Sequence, residues 1–360
     1  MAMLRALDMV RRKRRSSVTH KAPIGLSFIN PRNFMTAPRF RPFKLPIAIA
    51  SSLALLAGLT IWRSRAAERA LPKHKRILVD GVELHWLDRG SGPALVLLHG
   101  NGSMIEDFQT SGLIDLAASK YRVLAFDRPG FGHSTRPADR KWTAGEQAEI
   151  IQMALQRLDV QKAIVLGHSW GTLVAVALAL RAPGLVDGLV LTSGYYFPWQ
   201  RGKLAILTAL SAVFANPILR FTTTPLCGRL LWPLLRRILF SPAPVAANFK
   251  RFPIEIALRP SQLKATAAET ALLIPTAAAF ANLYADLQQP VTILAGDGDK
   301  LVGRRQALTL HDKLRTSRIA WIGGAGHMVH QTAPDRIFAE IDRLAERIKK
   351  QQPESESLPT

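Results

Sequence analysis

Residues 163–181 read AIVLGHSWGTLVAVALALR. Ala163–Leu166 is a short, continuous apolar run of strand length, and Thr172–Arg181 carries a helical apolar pattern. Between them stands Gly167-His168-Ser169-Trp170-Gly171. A strand that turns this abruptly into a helix forces its middle residue into a strained conformation. The positions two before and two after the middle must then be small, or their side chains collide with the facing backbone; Gly167 and Gly171 meet that demand. Ser169 is left projecting above the sheet with its Oγ free to attack, beside a helix N-terminus that favours developing negative charge.

The surroundings repeat the same alternation. Asp80-Gly81 joins two strands within RILVDGVELHWLDRG. Further buried-strand runs fall at Ala94–Leu98, Arg122–Phe126, Gly188–Thr192, Val291–Ala295 and Arg318–Ile322, the pattern of a parallel sheet covered on both faces. Helical patterns separate several of them, at Ala144–Leu158, Arg304–Leu314 and Asp335–Lys350. Strand, helix, strand is the α/β layout. Between Thr192 and Pro290 no strand pattern occurs, and stretches such as Leu204–Phe214 and Leu226–Phe240 read as helix. Tyr195–Asp286 is therefore expected to be an inserted helical cap.

Four further loops, each directly after a strand run, carry chemistry. His99-Gly100-Asn101-Gly102 suits an oxyanion hole, with Asn101 N–H and Trp170 N–H as the two donors. Asp127-Arg128-Pro129-Gly130-Phe131-Gly132-His133-Ser134 reads as a tight structural loop, in which Asp127 and His133 resemble a dyad only superficially. Gly296-Asp297-Gly298-Asp299 ends the strand VTILA and supplies an acid; Asp299 is preferred and Asp297 is the alternative. Gly323-Gly324-Ala325-Gly326-His327 follows the strand RIAWI, and a histidine on such a loop suits a general base, with His330 as the alternative. The order Ser169, Asp299, His327 places a nucleophile, its orienting acid and its base at three separate strand ends.

At this point the chain resembles the α/β-hydrolase superfamily, in its cap-bearing serine hydrolase branch, over about Lys75 to Lys349. The resemblance rests on HGNG, DRPGFGHS, GHSWG, GDGDKLV and GAGHMVH. It implies an eight-stranded, mostly parallel sheet with helices on both faces and a lid inserted after the sixth strand, and no metal or organic cofactor. In the dehalogenase- and epoxide-hydrolase-like members the nucleophile is Asp, so Ser169 disfavours both activities. Hydrolysis of an ester through an acyl-Ser169 intermediate is the first expectation. C–C bond or amide hydrolysis, or acyl transfer, by the same triad is the second. A catalytically silent binding protein on the same scaffold is the third. Tyr195, Tyr196, Phe197, Trp199, Phe214, Phe221, Trp232 and Phe240 of the cap are candidates to line an apolar acyl pocket, against ordinary packing of cap helices.

The N-terminal end has no counterpart in soluble members of that superfamily. Leu45–Trp62 is an uncharged apolar run between Lys44 and Arg63. At helical rise its length is about 27 Å, close to the thickness of a bilayer core. A single-pass anchor is the expected reading, with a cleaved secretory signal or a buried helix as alternatives; Met35 is an alternative start. Eleven Lys and Arg precede it against the single acid Asp8, which favours a cytoplasmic N-terminus and an exported catalytic domain, whereas the nearest charges, Arg32, Arg39, Arg41 and Lys44 against Arg63, Arg65, Arg69, Lys73, Lys75 and Arg76, lean the opposite way. This arm also accounts for much of the formal net charge of +22 and carries no nucleic-acid motif, so nucleic acid is not an expected partner. The one cysteine, Cys227, excludes an internal disulfide and reads as a small packing residue. The chain divides into a disordered basic arm (1–44), a transmembrane helix (45–62), a polar stalk (63–75), a core (76–194 and 287–350), the cap (195–286) and a disordered tail (351–360).

Overall fold

The computed structural model describes residues 44–198 and 215–351. The basic arm, the expected helix Leu204–Phe214 and the tail beyond Gln351 lie outside the described residues.

Eight strands form one sheet: β1 (Lys75–Val79), β2 (Val82–Arg89), β3 (Ala94–Leu98), β4 (Arg122–Phe126), β5 (Ala163–His168), β6 (Val186–Thr192), β7 (Val291–Gly296) and β8 (Ser317–Ile322). Their order is β1-β2-β4-β3-β5-β6-β7-β8. The pairs β1–β2 and β2–β4 are antiparallel, and every other pair is parallel. The continuous apolar runs are explained by what covers them. Val96 and Leu98 of β3 join one buried cluster while Leu95 and Leu97 join another, so alternate side chains feed opposite faces. Each such Leu contributes roughly 1.5–3 kcal/mol on burial.

The first face is covered by α4 (Ala144–Arg157), α5 (Trp170–Arg181) and α10 (Arg304–Lys313), through residues such as Ile151, Leu173 and Leu310. The second is covered by α2 (Ile105–Ser111), α3 (Leu113–Ala117) and α12 (Pro334–Gln351), through Phe108, Leu113, Ile337 and Ile341. A short helix, α11 (Val329–Thr332), precedes α12.

Between β6 and β7 the described chain is helical: α6 (Pro217–Phe221), α7 (Thr223–Phe240), α8 (Ile254–Ala257) and α9 (Pro260–Phe280), with two short 3-10 turns. α9 is tied to the sheet end by polar contacts. Gln262 Oε1 accepts from Gly132 N–H at 3.0 Å, and Thr266 O and Thr270 Oγ1 accept from Asn101 Nδ2 at 3.2 and 3.0 Å. Glu269, fully buried, receives both terminal nitrogens of Arg128, itself fully buried after β4. Arg128 Nη1 also donates to Gln147 Oε1 at 2.7 Å. Its remaining donors hold the loop after β3, through His99 O at 2.8 Å and Gly100 O at 2.9 Å.

The N-terminal helix α1 (Lys44–Ala70) runs eight residues past the expected end of the apolar segment. Most of the expected polar stalk is therefore helix. Its last turns have partners, because Glu68 pairs with Arg259 and Ala67 packs against the cap cluster of Phe249 and Phe252. From Pro46 onward α1 is long and apolar enough to cross a membrane. A second correction concerns Cys227, which is exposed on α7 rather than packed inside.

Removing Glu269 leaves the Arg128 guanidinium buried and uncompensated. Glu269→Ala is expected to cost about 3–5 kcal/mol, read from denaturant unfolding of the full chain in detergent. An unchanged midpoint would show that water replaces the carboxylate. Glu106, in the first turn of α2, is buried with no hydrogen-bond partner for either carboxylate oxygen among the described residues. Burial, and then the nearby Asp127 charge, push its carboxyl up to about 8. The folded state thus holds a proton that the unfolded chain releases near pH 4.5. Stability should fall as pH rises from there towards 8, and Glu106→Gln should flatten that decline in thermal unfolding at pH 5 against pH 8. Equal slopes in both proteins would contradict this.

Candidate active site

The strand-to-helix turn takes the form its residues dictate. Ser169 caps α5 with φ 52° and ψ −118°, a left-handed value that a non-glycine residue keeps only under constraint. The constraint is steric. A Cβ on Gly171 would lie 2.1 Å from Leu98 O, and one on Gly167 would lie 2.5 Å from Gly171 O. Strands β3 and β5 and helix α5 therefore meet backbone to backbone, and the chain can leave β5 only through the bend at Ser169.

The three residues expected to form a relay converge. Ser169 Oγ lies 3.0 Å from His327 Nε2, and His327 Nδ1 lies 2.8 Å from Asp299 Oδ2. Asp299 is buried, and its Oδ1 accepts from the Leu301 and Val302 N–H groups at 2.8 and 2.9 Å, which fixes the carboxylate plane. Asp297, the alternative acid, is exposed and braces the histidine loop instead, accepting from Gly324 N–H at 2.8 Å. His330, the alternative base, faces away from the serine. It is buried on α11, its Nε2 is 3.1 Å from Asp107 Oδ1, and its ring stacks edge-on with His168 at 4.3 Å between centroids.

The cap holds the loop that carries His327. The His327 N–H donates to Leu239 O on α7 at 2.9 Å. A Cβ on Gly326 would lie 2.4 Å from Ser241 O and 2.5 Å from Phe240 O, so the loop passes directly beneath the end of that helix. From the other side, His168 Nε2 donates to His327 O at 3.2 Å. Burial, and then the neighbouring His330 and His327, hold the His168 imidazole well below its ordinary range, so it stays neutral in that role.

The two expected oxyanion donors flank the serine. Trp170 is the first residue of α5, ahead of the first intrahelical bond, so its N–H is free to face a ligand. Asn101 N–H has no acceptor among the described residues, while the Asn101 side chain is engaged with α9. A brace absent from the sequence reading keeps this loop in place. His99, fully buried, donates through Nδ1 to Gly100 O at 2.8 Å and accepts from Arg128 N–H at Nε2 at 3.0 Å. Both bonds require the neutral ring, and burial together with the Arg128 charge lowers its pKa to about 3.

Asp127 and His133 make no side-chain dyad. Asp127 accepts from His85 Nδ1 at 2.7 Å and from the backbone N–H of Ile105 and His133 at 2.9 Å each. Burial drives this carboxyl upward, but the His85 hydrogen bond and charge outweigh it and hold it below its ordinary range. Asp107, His168 and His330 bring one ligand atom each within 4.8 Å of one another, a set able to hold a metal ion. Asp107 already accepts from Ser103 Oγ at 2.8 Å and from Gln331 Nε2 at 2.9 Å.

Above Ser169 lies a cavity of about 370 Å³ between sheet end and cap. Its apolar wall comprises Tyr195, Trp232, Leu239, Phe249, Phe252 and Leu273. Of the cap aromatics expected there, Tyr195 and Trp232 take part. Tyr196, Phe197 and Phe240 are packed in the interior, Phe221 is exposed, and Trp199 and Phe214 lie outside the described residues. No local signal marks Phe249 and Phe252 as cavity residues, because they fall in a Pro- and Ala-rich stretch with no helical period. Among the described residues, no Lys or Arg lines the cavity; Glu269 reaches it but is neutralised by Arg128.

Comparisons with known proteins agree with the architecture. The haloalkane dehalogenase 2 of Mycobacterium tuberculosis (strain ATCC 25618 / H37Rv) is 26% identical over 276 residues, covering 72% of this chain and 90% of that protein. The 2-hydroxymuconate semialdehyde hydrolase of Pseudomonas sp. (strain CF600) is 34% identical over 136 residues, covering 37% of this chain and about half, 48%, of its own length. The crystal structure of a membrane phospholipase A superposes with a TM-score of 0.63 at 23% identity, over 85% of this chain and 96% of that one. A family model for the alpha/beta hydrolase fold matches residues 93–334. With the sheet order and the strand-to-helix turn, that match over most of the chain shows that the protein belongs to the alpha/beta hydrolase fold family.

Proposed function

We propose that the protein is a membrane-anchored serine hydrolase that cleaves a carboxylic ester through an acyl-Ser169 intermediate. The observation that carries this reading is the unbroken relay Ser169–His327–Asp299 at the floor of an apolar cavity. His327 Nε2 takes the proton of Ser169 Oγ as that oxygen attacks the ester carbonyl carbon. The carbonyl oxygen becomes an oxyanion and receives the N–H groups of Asn101 and Trp170. His327 returns the proton to the departing alkoxide, and the acyl group stays on Ser169. Water then loses a proton to His327 as its oxygen attacks the acyl carbon, the bond from that carbon to Ser169 Oγ breaks, and His327 returns the proton to Ser169 Oγ as the acid leaves. Asp299 keeps the Nδ1 proton on His327 and steadies the imidazolium that forms.

The cavity wall supports the substrate class. An apolar lining without Lys or Arg among the described residues suits a neutral, lipophilic acyl chain better than an anionic substrate. Amide or C–C bond hydrolysis, or acyl transfer, would use the same three residues, and a panel of ester, amide and diketone substrates separates them. α1 supplies the anchor. Ile47, Ile49, Leu55, Leu59 and Trp62 are exposed along it, as lipid-facing side chains would be. The basic arm before it favours a cytoplasmic N-terminus and an exported catalytic domain.

A fluorophosphonate probe is expected to label the wild-type chain at Ser169 and to leave Ser169→Ala unlabelled. Failure to label the wild type would favour a silent binding protein. Asp299→Asn should lower kcat on short and medium acyl esters by about 10⁴-fold while the fold survives. Full activity in that variant would remove Asp299 from the relay.

A further inference from the structure

Among the described residues, the cap carries an apolar face that nothing covers. On α7 the side chains of Leu226, Leu230, Leu231, Leu234, Leu235 and Ile238 are exposed, Leu230 to 72%. They recur at spacings of three and four residues, so they line one side of the helix. Ile218 and Phe221 of α6 add to this surface. The opposite side of α7 is protein-facing, since Trp232 packs on Phe249 and Phe252. A row of six exposed aliphatic side chains on one helix is a surface built for an apolar neighbour.

Three observations identify that neighbour. At the C-terminal end of α7, Arg236, Arg237 and Lys250 line a groove of about 330 Å³, and no described carboxylate pairs with them. The undescribed stretch 199–214 contains Arg201 and Lys203 and no acid, so it brings no charge complement either. The end of α1 is anchored on the same part of the cap, because Ala67, and Leu71 just past the helix, pack against the cluster of Phe240, Phe249 and Phe252 on which Trp232 also packs. Finally, Trp232 and Leu239, on the inner side of α7, form part of the cavity wall above Ser169. An apolar stripe with cations at its end, next to a helix able to cross a bilayer, is the chemistry of an interfacial helix on anionic lipid.

We propose that the outer face of α7 lies in the headgroup–acyl boundary of the bilayer that holds α1, with Arg236, Arg237 and Lys250 on lipid phosphates. The inference rests on the anchor proposed above and adds to it a second, lid-borne contact with the membrane. A lipophilic ester then reaches the cavity from the bilayer side of the cap rather than through water.

Cys227 makes the test direct, because it is the one cysteine and stands exposed on this face. The full chain, one copy per nanodisc of phosphatidylcholine and phosphatidylglycerol, is labelled there with an environment-sensitive fluorophore. Nitroxide-bearing lipids are expected to quench the probe, and aqueous iodide is expected to have little access. Leu230→Asn with Leu234→Asn should weaken the nitroxide quenching. It should also slow turnover of a bilayer-borne long-chain ester by about tenfold and leave hydrolysis of a dissolved short-chain ester unchanged. Arg236→Gln with Arg237→Gln should remove the dependence on phosphatidylglycerol. A probe open to iodide overturns the proposal. A probe shielded from both quenchers also overturns it, since residues 199–214 or a second copy then cover the face. Fluorophosphonate labelling of Ser169 in the same discs reports the catalytic reading separately. A chain that does not enter the discs overturns anchor and face together.

Discussion

The structure depends on a backbone collision that is avoided only by two glycines. Strand β5 meets helix α5 at Gly167, and α5 meets the end of β3 at Gly171, so closely that any Cβ there would enter a carbonyl oxygen. Ser169 absorbs the turn in a conformation that costs roughly 1–3 kcal/mol for a non-glycine residue. That strain is sustained because β5 is fully buried, with parallel partners on both sides. The same bend gives the serine its exposure and leaves the Trp170 N–H ahead of the helix, so candidate nucleophile and candidate oxyanion donor share a single steric cause.

Around that bend the site is held by buried polar groups that take no part in the proposed chemistry. Arg128 ties the loop after β3 to α9 of the cap through Glu269, and His99 locks the same loop from below. His168 and Leu239 grip the carbonyl and the N–H of His327 from opposite sides. Each is costly to bury and stays in place because its partner is also buried. The result is a preorganised set of donors whose geometry is fixed before any substrate arrives.

Much of this was legible in the sequence, for stateable reasons. Strands buried on both faces appear as unbroken apolar runs, and the runs at Ala94, Arg122 and Val291 begin where β3, β4 and β7 begin. Long helices with one buried stripe are equally visible; α12 starts at Pro334 and buries Ile337, Ile341 and Leu344. The partners were not legible where they depend on distant parts of the chain. Nothing local marks Glu269 as the counter-ion of Arg128, 141 residues away, or His85 as the donor to Asp127. The five-residue α3 and four-residue α8 are too short for a period to emerge. The full length of α1 is not legible because its last turns are charged, and their helicity is supported by Arg259 and the cap cluster rather than by apolar content. Cys227 was misplaced because an apolar sequence context does not distinguish a helix face turned inward from one turned outward.

That ambiguity has a physical content in this chain. A soluble domain of this fold would turn the leucines of α7 inward or replace them with polar residues, because each one left in water forgoes the gain of burial. Here the inward positions of α7 are already taken, by Gly228 where Leu258 approaches and by Trp232 where the cap aromatics stack. The leucines therefore have no room inside. The same helix, through Leu239 O, holds the N–H of the candidate base. One element thus joins the outer apolar surface, the cavity wall and the backbone contact that holds His327 in reach of Ser169.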